Sequence, residues 1–141
     1  MGKLTKDKLY GIAHKLYREK EGLENHLSRC TNELFNLEDT IILYDLTNTY
    51  FEGRMENSQL ARFGRSKEKR SDAKLIVLAL VVNTEGFLKY SDIFQGNTAD
   101  SATLEDIVTN LDKKAGYRHK RPVIVMDAGI ATEANIQFLK Q

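Results

Sequence analysis

Apolar residues recur at helical spacing near the start of the chain. Leu9, Ile12, Ala13 and Leu16 stand at i, i+3, i+4 and i+7, and Leu23, Leu27, Cys30 and Leu34 carry a similar stripe onward. Charges of both signs fill the other face, seven Lys or Arg against seven Asp or Glu over residues 1–39. The pattern predicts helix over residues 3–34, with Gly22 as the place for a break or kink. The period then changes. Residues 40–51 predict a strand whose two faces both carry apolar or hydroxyl-bearing side chains, Ile42, Tyr44 and Leu46 on one, Leu43, Thr47 and Thr49 on the other. Such a strand suits the middle of a sheet covered on both sides. Residues 73–83 (AKLIVLALVVN) predict a second strand, apolar on both faces, and residues 87–95 an alternating third; Thr84, Glu85 and Gly86 between them make the pair a hairpin. Asp100 or Ser101 can cap a helix whose apolar face is Leu104, Ile107, Val108 and Leu111 and which Gly116 ends. Residues 122–126 (PVIVM) predict a short buried strand, and Thr132 caps a last helix that begins at Glu133.

The resulting order is helices, then β-β-β-α-β-α. A meander followed by a crossover into another strand implies an α/β domain with a mixed sheet and helices on its faces. The chain divides on this reading into an N-terminal helical segment, residues 1–38, and the α/β domain, residues 39–141. A length of 141 residues suits one domain or part of a larger one, and an apolar content of 41% suits a modest core. The net charge of +1 implies no partner by itself. A single cysteine, Cys30, excludes an internal disulfide and fits a reducing compartment, where it serves as a small half-buried apolar residue. Three scattered histidines (His14, His26, His119) and one cysteine do not make a zinc site. The first residues lack the apolar core of a signal peptide, and the longest apolar run, residues 75–82, is too short to span a bilayer as a helix. A cytoplasmic location is the expectation.

Charge becomes informative locally. Residues 54–72 hold six basic residues (Arg54, Arg62, Arg65, Lys67, Lys69, Arg70) against three acidic ones (Glu56, Glu68, Asp72), with Gly64 and Ser66 marking a loop. Two aspartates also stand out. Asp45 interrupts the apolar run IILY-D-LT, where a desolvated charge would be expensive, and Asp127 ends the strand VIVM-D-AG. A crossover that lays the two strands side by side brings the two carboxylates together. Two converging carboxylates resist joint ionisation, and a hard divalent cation relieves this; oxygen-only ligation suits Mg²⁺ or Mn²⁺. Asp45 with Thr49 four residues on also resembles haloacid-dehalogenase-type phosphohydrolases. Their second carboxylate, two residues after the first, is here Thr47.

Five stretches in order (YDLTNTYFEG, GRSKEKRSD, LIVLALVVNTEG, FQGNTADSATL and VIVMDAG) resemble DDE-type insertion-sequence transposases with a ribonuclease-H-like fold. The resemblance covers roughly residues 5–141, and the helical prefix LYGIAHKLYREKEGLENHL is similar to the segment that precedes the catalytic domain in this group. It implies that Asp45 and Asp127 match the first two acids of a metal-binding triad, with Mg²⁺ or Mn²⁺ as cofactor. It implies cleavage of DNA at transposon ends followed by strand transfer, with transposon-end and target DNA as partners and a homodimer, or a dimer with a full-length copy, as the assembly. Arg62, Arg65, Lys67, Lys69 and Arg70 would lie where DNA phosphates are expected. Gly96, Asn97 and Asp100 match a GN-x-x-D pattern, whose physical role is a turn and a helix cap. The family's third acid is a Glu in a gapped Tyr–Arg–Glu–Lys signature well downstream of the second Asp. The chain runs 14 residues past Asp127, Glu133 is too close to serve, and the contiguous Tyr17-Arg18-Glu19-Lys20 precedes the first acid. The resemblance therefore implies a truncated copy, inactive alone, lacking the fifth strand and closing helix of the fold. A non-catalytic DNA-binding or interaction module derived from such an enzyme is the alternative.

Overall fold

The computed structural model of the chain describes residues 5–65, 71–115 and 122–140. Contacts divide it into two units, Met1–Glu38 and Asp39–Gln141.

The first unit is helical. Thr5 caps α1 (Lys6–Arg18) by accepting from the Lys8 amide at 3.4 Å. α2 (Lys20–Phe35) follows after the single residue Glu19. Hydrogen bonding continues across this joint, from the Glu19 amide to the Lys15 carbonyl and from the Leu23 amide to the Glu19 carbonyl. The break thus falls at Glu19, and Gly22 lies inside α2 with open space around its Cα. A glycine costs a helix only about 1 kcal/mol, so the run of good formers on either side carries the helix through it. Asn36 ends α2 in the left-handed conformation, with φ 51°.

The second unit is built on a four-stranded sheet, β1 (Ile41–Tyr50), β2 (Leu75–Asn83), β3 (Leu88–Gln95) and β4 (Val123–Met126), in the order β3-β2-β1-β4. β1 and β2 pair antiparallel, as do β2 and β3, whereas β4 lies parallel to β1. This is the mixed α/β sheet expected for the ribonuclease-H-like fold: a three-stranded meander, then a crossover through α3 (Leu104–Ala115) that sets β4 against the first strand. At the β2–β3 turn the Asn83 side chain accepts from the Phe87 amide at 2.8 Å, and Gly86 takes φ 86°. A register shift near Val81 and Val82 accommodates Lys89, whose ammonium meets Asp39 at 3.0 Å in a buried ion pair.

The core lies on one face of the sheet. Ile42, Tyr44 and Leu46 of β1 and Leu75, Val77, Ala79 and Val81 of β2 pack with Leu104, Ile107, Val108 and Leu111 of α3. The i, i+3, i+4, i+7 spacing of those four α3 residues delivers one continuous stripe to the strands. α4 (Glu133–Leu139) adds Phe138 and Leu139, and its cap Thr132 accepts from the Asn135 amide at 3.3 Å. A single turn of 3₁₀ helix, Asp100–Ala102, precedes α3, so neither Asp100 nor Ser101 occupies the capping position expected of it. The proposed stop at Gly116 lies outside the described residues.

The other face corrects an expectation. β1 and β2 are apolar on both faces, but in β1 only alternate residues are buried: Ile41, Leu43, Asp45, Thr47 and Thr49 are exposed. Along β1 that face is open, whereas the β2 residues on it, Ile76, Leu78, Leu80 and Val82, are half-buried, and Asp45 is an exposed carboxylate rather than a desolvated one.

Candidate functional site

The parallel ladder between β1 and β4 positions the two aspartates. Ile41 pairs with Val123, Leu43 with Val125 and Tyr44 with Met126, the last residue of β4. The next step along both chains is Asp45 and Asp127. Side chains alternate along a strand, so Asp45 follows Ile41 and Leu43 on the open face, and Asp127 follows Val123 and Val125. Asp127 is itself exposed. The two carboxylates therefore come to one level, on one face, at the end where β4 gives way to a loop. Across the sheet the same row continues through Leu80, opposite Asp45, to Ser91.

Asp127 also organises its own turn. Its carbonyl accepts from the amides of Ile130 (3.0 Å) and Ala131 (3.2 Å), and its carboxylate accepts a long bond from the Gly129 amide (3.4 Å). The turn is held from behind by Asn135, whose side-chain amide donates to the carbonyls of Ile130 (2.7 Å) and Ser101 (2.9 Å). Asn135 thus ties α4 to the segment before α3 and fixes where the chain after Asp127 runs.

A hydroxyl chain does the same for β1. Thr103 donates its one hydroxyl proton to the Asp100 carbonyl at 2.7 Å, so Tyr44, whose phenol oxygen lies 2.6 Å from the Thr103 hydroxyl oxygen, is the donor in their bond. Burial pushes the Tyr44 phenol up from 10 to about 12, and the carboxylates of Asp100, Asp45 and Asp92 add to the rise. Tyr44 precedes Asp45, and anchoring it under the start of α3 holds this part of β1 in place.

The basic loop is tied down at its root. Arg62 exchanges backbone hydrogen bonds with Leu75 (3.1 and 2.9 Å), and the Gly96 amide donates to the Leu60 carbonyl at 3.1 Å. A Cβ on Gly96 would collide with the Leu75 carbonyl oxygen, and one on Gly64 with the Gly96 carbonyl oxygen. Two glycines are therefore required where the loop crosses the ends of β2 and β3. That is the physical reason for glycine in the Gly96-Asn97 pair. The Arg62 guanidinium donates to the carbonyls of Ser58 (2.8 Å) and Ala61 (3.3 Å), so it closes the loop on itself. Arg65 is exposed. Lys67, Lys69 and Arg70 lie outside the described residues. The loop root sits at the end toward which β1 runs, because Phe51 and Tyr50 meet Lys74 and Leu75 there.

The donor set of the two aspartates fits a hard cation, being oxygen-only and anionic. Among the described residues no group of three or more His, Cys, Asp or Glu side chains stands together as a metal site. Glu133 opens α4 and accepts from the Gln137 side chain at 2.9 Å. Thr103 and Asn135 had no signal in the sequence, since their partners are 59 and 34 residues away.

No protein-family model matches the chain. No curated protein matches it either. Among solved structures it is similar to the Mos1 strand transfer complex, at TM-score 0.47 and 16% identity, over 87% of this chain and 39% of that one. It is also similar to the Mos1 transposase paired-end complex with left transposon end, at TM-score 0.48 and 13% identity, over 99% of this chain and 41% of that one. The chain spans about two fifths of the length of the chains it matches. Likenesses this distant decide nothing about its chemistry. Among the described residues no helix is long and apolar enough to cross a membrane.

Proposed function

We propose that residues 39–141 belong to a metal-dependent catalytic domain of the DDE transposase type, acting on DNA. One observation carries the reading: the β1–β4 register runs Asp45 and Asp127 into the same row of one open sheet face. Asp45 and Asp127 would hold a Mg²⁺ or Mn²⁺ ion, which when bound supplies Lewis-acid activation of a phosphodiester and of the attacking oxygen. The chain's own residues position. Tyr44 and Thr103 hold β1 under α3, Asn135 holds the turn after Asp127, and the Gly64–Gly96 crossing fixes the root of a loop whose cations neutralise DNA phosphates. The resemblance calls for a third acid that has no counterpart among the described residues. On this reading the 141-residue chain nicks DNA no faster than background, and robust Asp45-dependent nicking overturns that part.

Calorimetric titration of Mg²⁺ and Mn²⁺ tests the metal half-site. Wild type binds, and Asp45→Asn and Asp127→Asn each weaken binding at least tenfold. Equal binding by all three proteins removes the site, and metal-independent DNA binding would then favour the non-catalytic module. The loop is tested by salt dependence. Each phosphate neutralised contributes a slope of about −0.9 in log affinity against log salt. Arg65→Glu should flatten that slope, and an unchanged slope takes Arg65 out of the interface.

A further inference from the structure

One aromatic ring of residues 39–141 is held out in water. Among the described aromatic residues of this unit, Tyr44 and Tyr90 are buried, the others are half-buried, and Phe63 alone is exposed, at 59%. Its backbone is not slack. Arg62, just before it, exchanges both backbone hydrogen bonds with Leu75. Gly64, just after it, passes so close to the Gly96 carbonyl oxygen that no Cβ fits between them. Upstream, Ala61 is fully buried, and its amide donates to the Ser58 hydroxyl at 3.0 Å. The chain is thus fastened on both sides of Phe63. A ring on a loose loop can follow its backbone onto the nearest apolar surface, and this one has no such freedom.

We propose that Phe63 is a stacking platform for an unpaired DNA base. The inference rests on the reading of residues 39–141 as a domain that acts on DNA. A nucleobase is a flat π-surface, and an aromatic side chain stacks on any of the four. Because the backbone is already fixed, little freedom is lost when the base arrives. The charge around the ring suits the same ligand. Residues 62–70 hold five basic side chains against Glu68 alone, and Arg65, two residues past the ring, is exposed. A base on Phe63 therefore brings its own phosphates toward cations. A protein partner fits less well, since a stable interface takes about 800 Å² from each side and one ring offers a small part of that. Inside a paired duplex both faces of a base are covered by its neighbours, so the platform selects a base that has left the stack. The platform also stands apart from the candidate acids. Arg62 pairs with Leu75, which is level with Tyr50, five residues along β1 from Asp45, or about 17 Å at 3.4 Å per residue. Phe63 holds DNA at a distance from the reacting phosphate and takes no part in its cleavage.

The chain contains no tryptophan, so Phe63→Trp introduces a single indole reporter at the platform. The exposed position accepts either Trp or Ala without disturbing the core. The full chain and its variants are titrated with a labelled single-stranded oligonucleotide of mixed sequence and with the fully paired duplex of that sequence, binding being read by anisotropy of the label. Indole emission of Phe63→Trp should be quenched as the oligonucleotide saturates it. Phe63→Ala should bind the oligonucleotide about tenfold more weakly, the worth of one base–aromatic stack, and the duplex nearly as wild type does. Its slope of log affinity against log salt should match that of wild type, because a stack releases no counterions, whereas Arg65→Glu should flatten the slope. Oligonucleotide bound with the indole unquenched, or a Phe63→Ala loss that is absent or equal on both DNAs, overturns the platform and leaves the DNA reading of the domain in place. Failure of wild type to bind either DNA overturns both together.

Discussion

The sheet of residues 39–141 has two faces made from equally apolar strands. On one, Ile42, Tyr44, Val77 and Val81 are at most 3% exposed, packed with α3. On the other, Leu43 is 37% exposed, Val125 49% and Val123 63%. The candidate acids sit on the second face. An aspartate on the packed face would have to surrender its hydration, and its pKa would rise until it was neutral at ordinary pH. On the open face it keeps its charge and remains reachable by a cation and by DNA. The covered face fixes where the strands run, and through the β1–β4 register it decides which open-face residues become neighbours. Along β1 and β4 the open face is free to carry chemistry because its side chains there remain exposed.

The largest expected effect tests that division of labour. Leu104→Ala empties a fully buried position under the strands, and large-to-small changes of this kind cost about 2–5 kcal/mol. Leu80→Ala, on the open face opposite Asp45, should cost roughly 1 kcal/mol or less. Denaturant titration of both variants reads the contrast. Equal losses would mean that both faces are packed alike in solution.

A second effect comes from the Tyr44 phenol. Its folded pKa is raised to about 12 from an unfolded value of 10, so the folded state holds the proton more tightly. The associated stability is complete below pH 10 and is lost as pH rises through 12, on the order of 2–3 kcal/mol at 1.36 kcal/mol per unit. Tyr44→Phe should flatten the fall in stability between pH 10 and 12, at the cost of leaving Thr103 without its donor. An unchanged alkaline profile would mean that Tyr44 ionises as freely folded as unfolded.

Asn135→Ala should be smaller again. It leaves the carbonyls of Ser101 and Ile130 without the amide that now serves them, a loss of about 1–3 kcal/mol for buried groups. Because Ile130 belongs to the turn after Asp127, the same variant should weaken metal binding without touching either carboxylate. Wild-type metal affinity in Asn135→Ala would show that the turn holds its shape unaided.

Much of this was legible in the chain before its folding. The hairpin, the α3 stripe, the Thr132 cap and the adjacency of the strands bearing Asp45 and Asp127 all follow from periods and turn residues that act over a few positions. The errors have physical causes. β1 carries apolar or hydroxyl-bearing side chains on both faces, and a strand's composition does not reveal whether both faces are packed, so Asp45 looked buried. Gly22 looked like a break because glycine is a poor helix former, but one poor former yields to its neighbours. The Tyr44–Thr103 and Asn135–Ser101 bonds join segments that only the finished fold brings together. The Gly64–Gly96 crossing left a trace only as two glycines in polar loops.

The smallest expected change in stability carries the most about the open face. Asp45→Asn removes one of two carboxylates that the register brings to the same row, on a face where nothing depends on its packing. Without metal its stability should stay within about 0.5 kcal/mol of wild type, and should rise rather than fall, because a like-charge neighbour is neutralised. With saturating Mg²⁺ the two proteins should separate. A cation that binds only the folded state raises wild-type stability by about 2.7 kcal/mol at one hundred times its dissociation constant, and should leave Asp45→Asn nearly unmoved. Thermal melts with and without Mg²⁺ give the answer from four curves. An equal Mg²⁺-induced gain in both proteins would place the cation elsewhere. A large loss of stability in Asp45→Asn without metal would show that the carboxylate is structural, and the contrast between a face that holds the fold and a face that carries chemistry would fail at the residue on which it most depends.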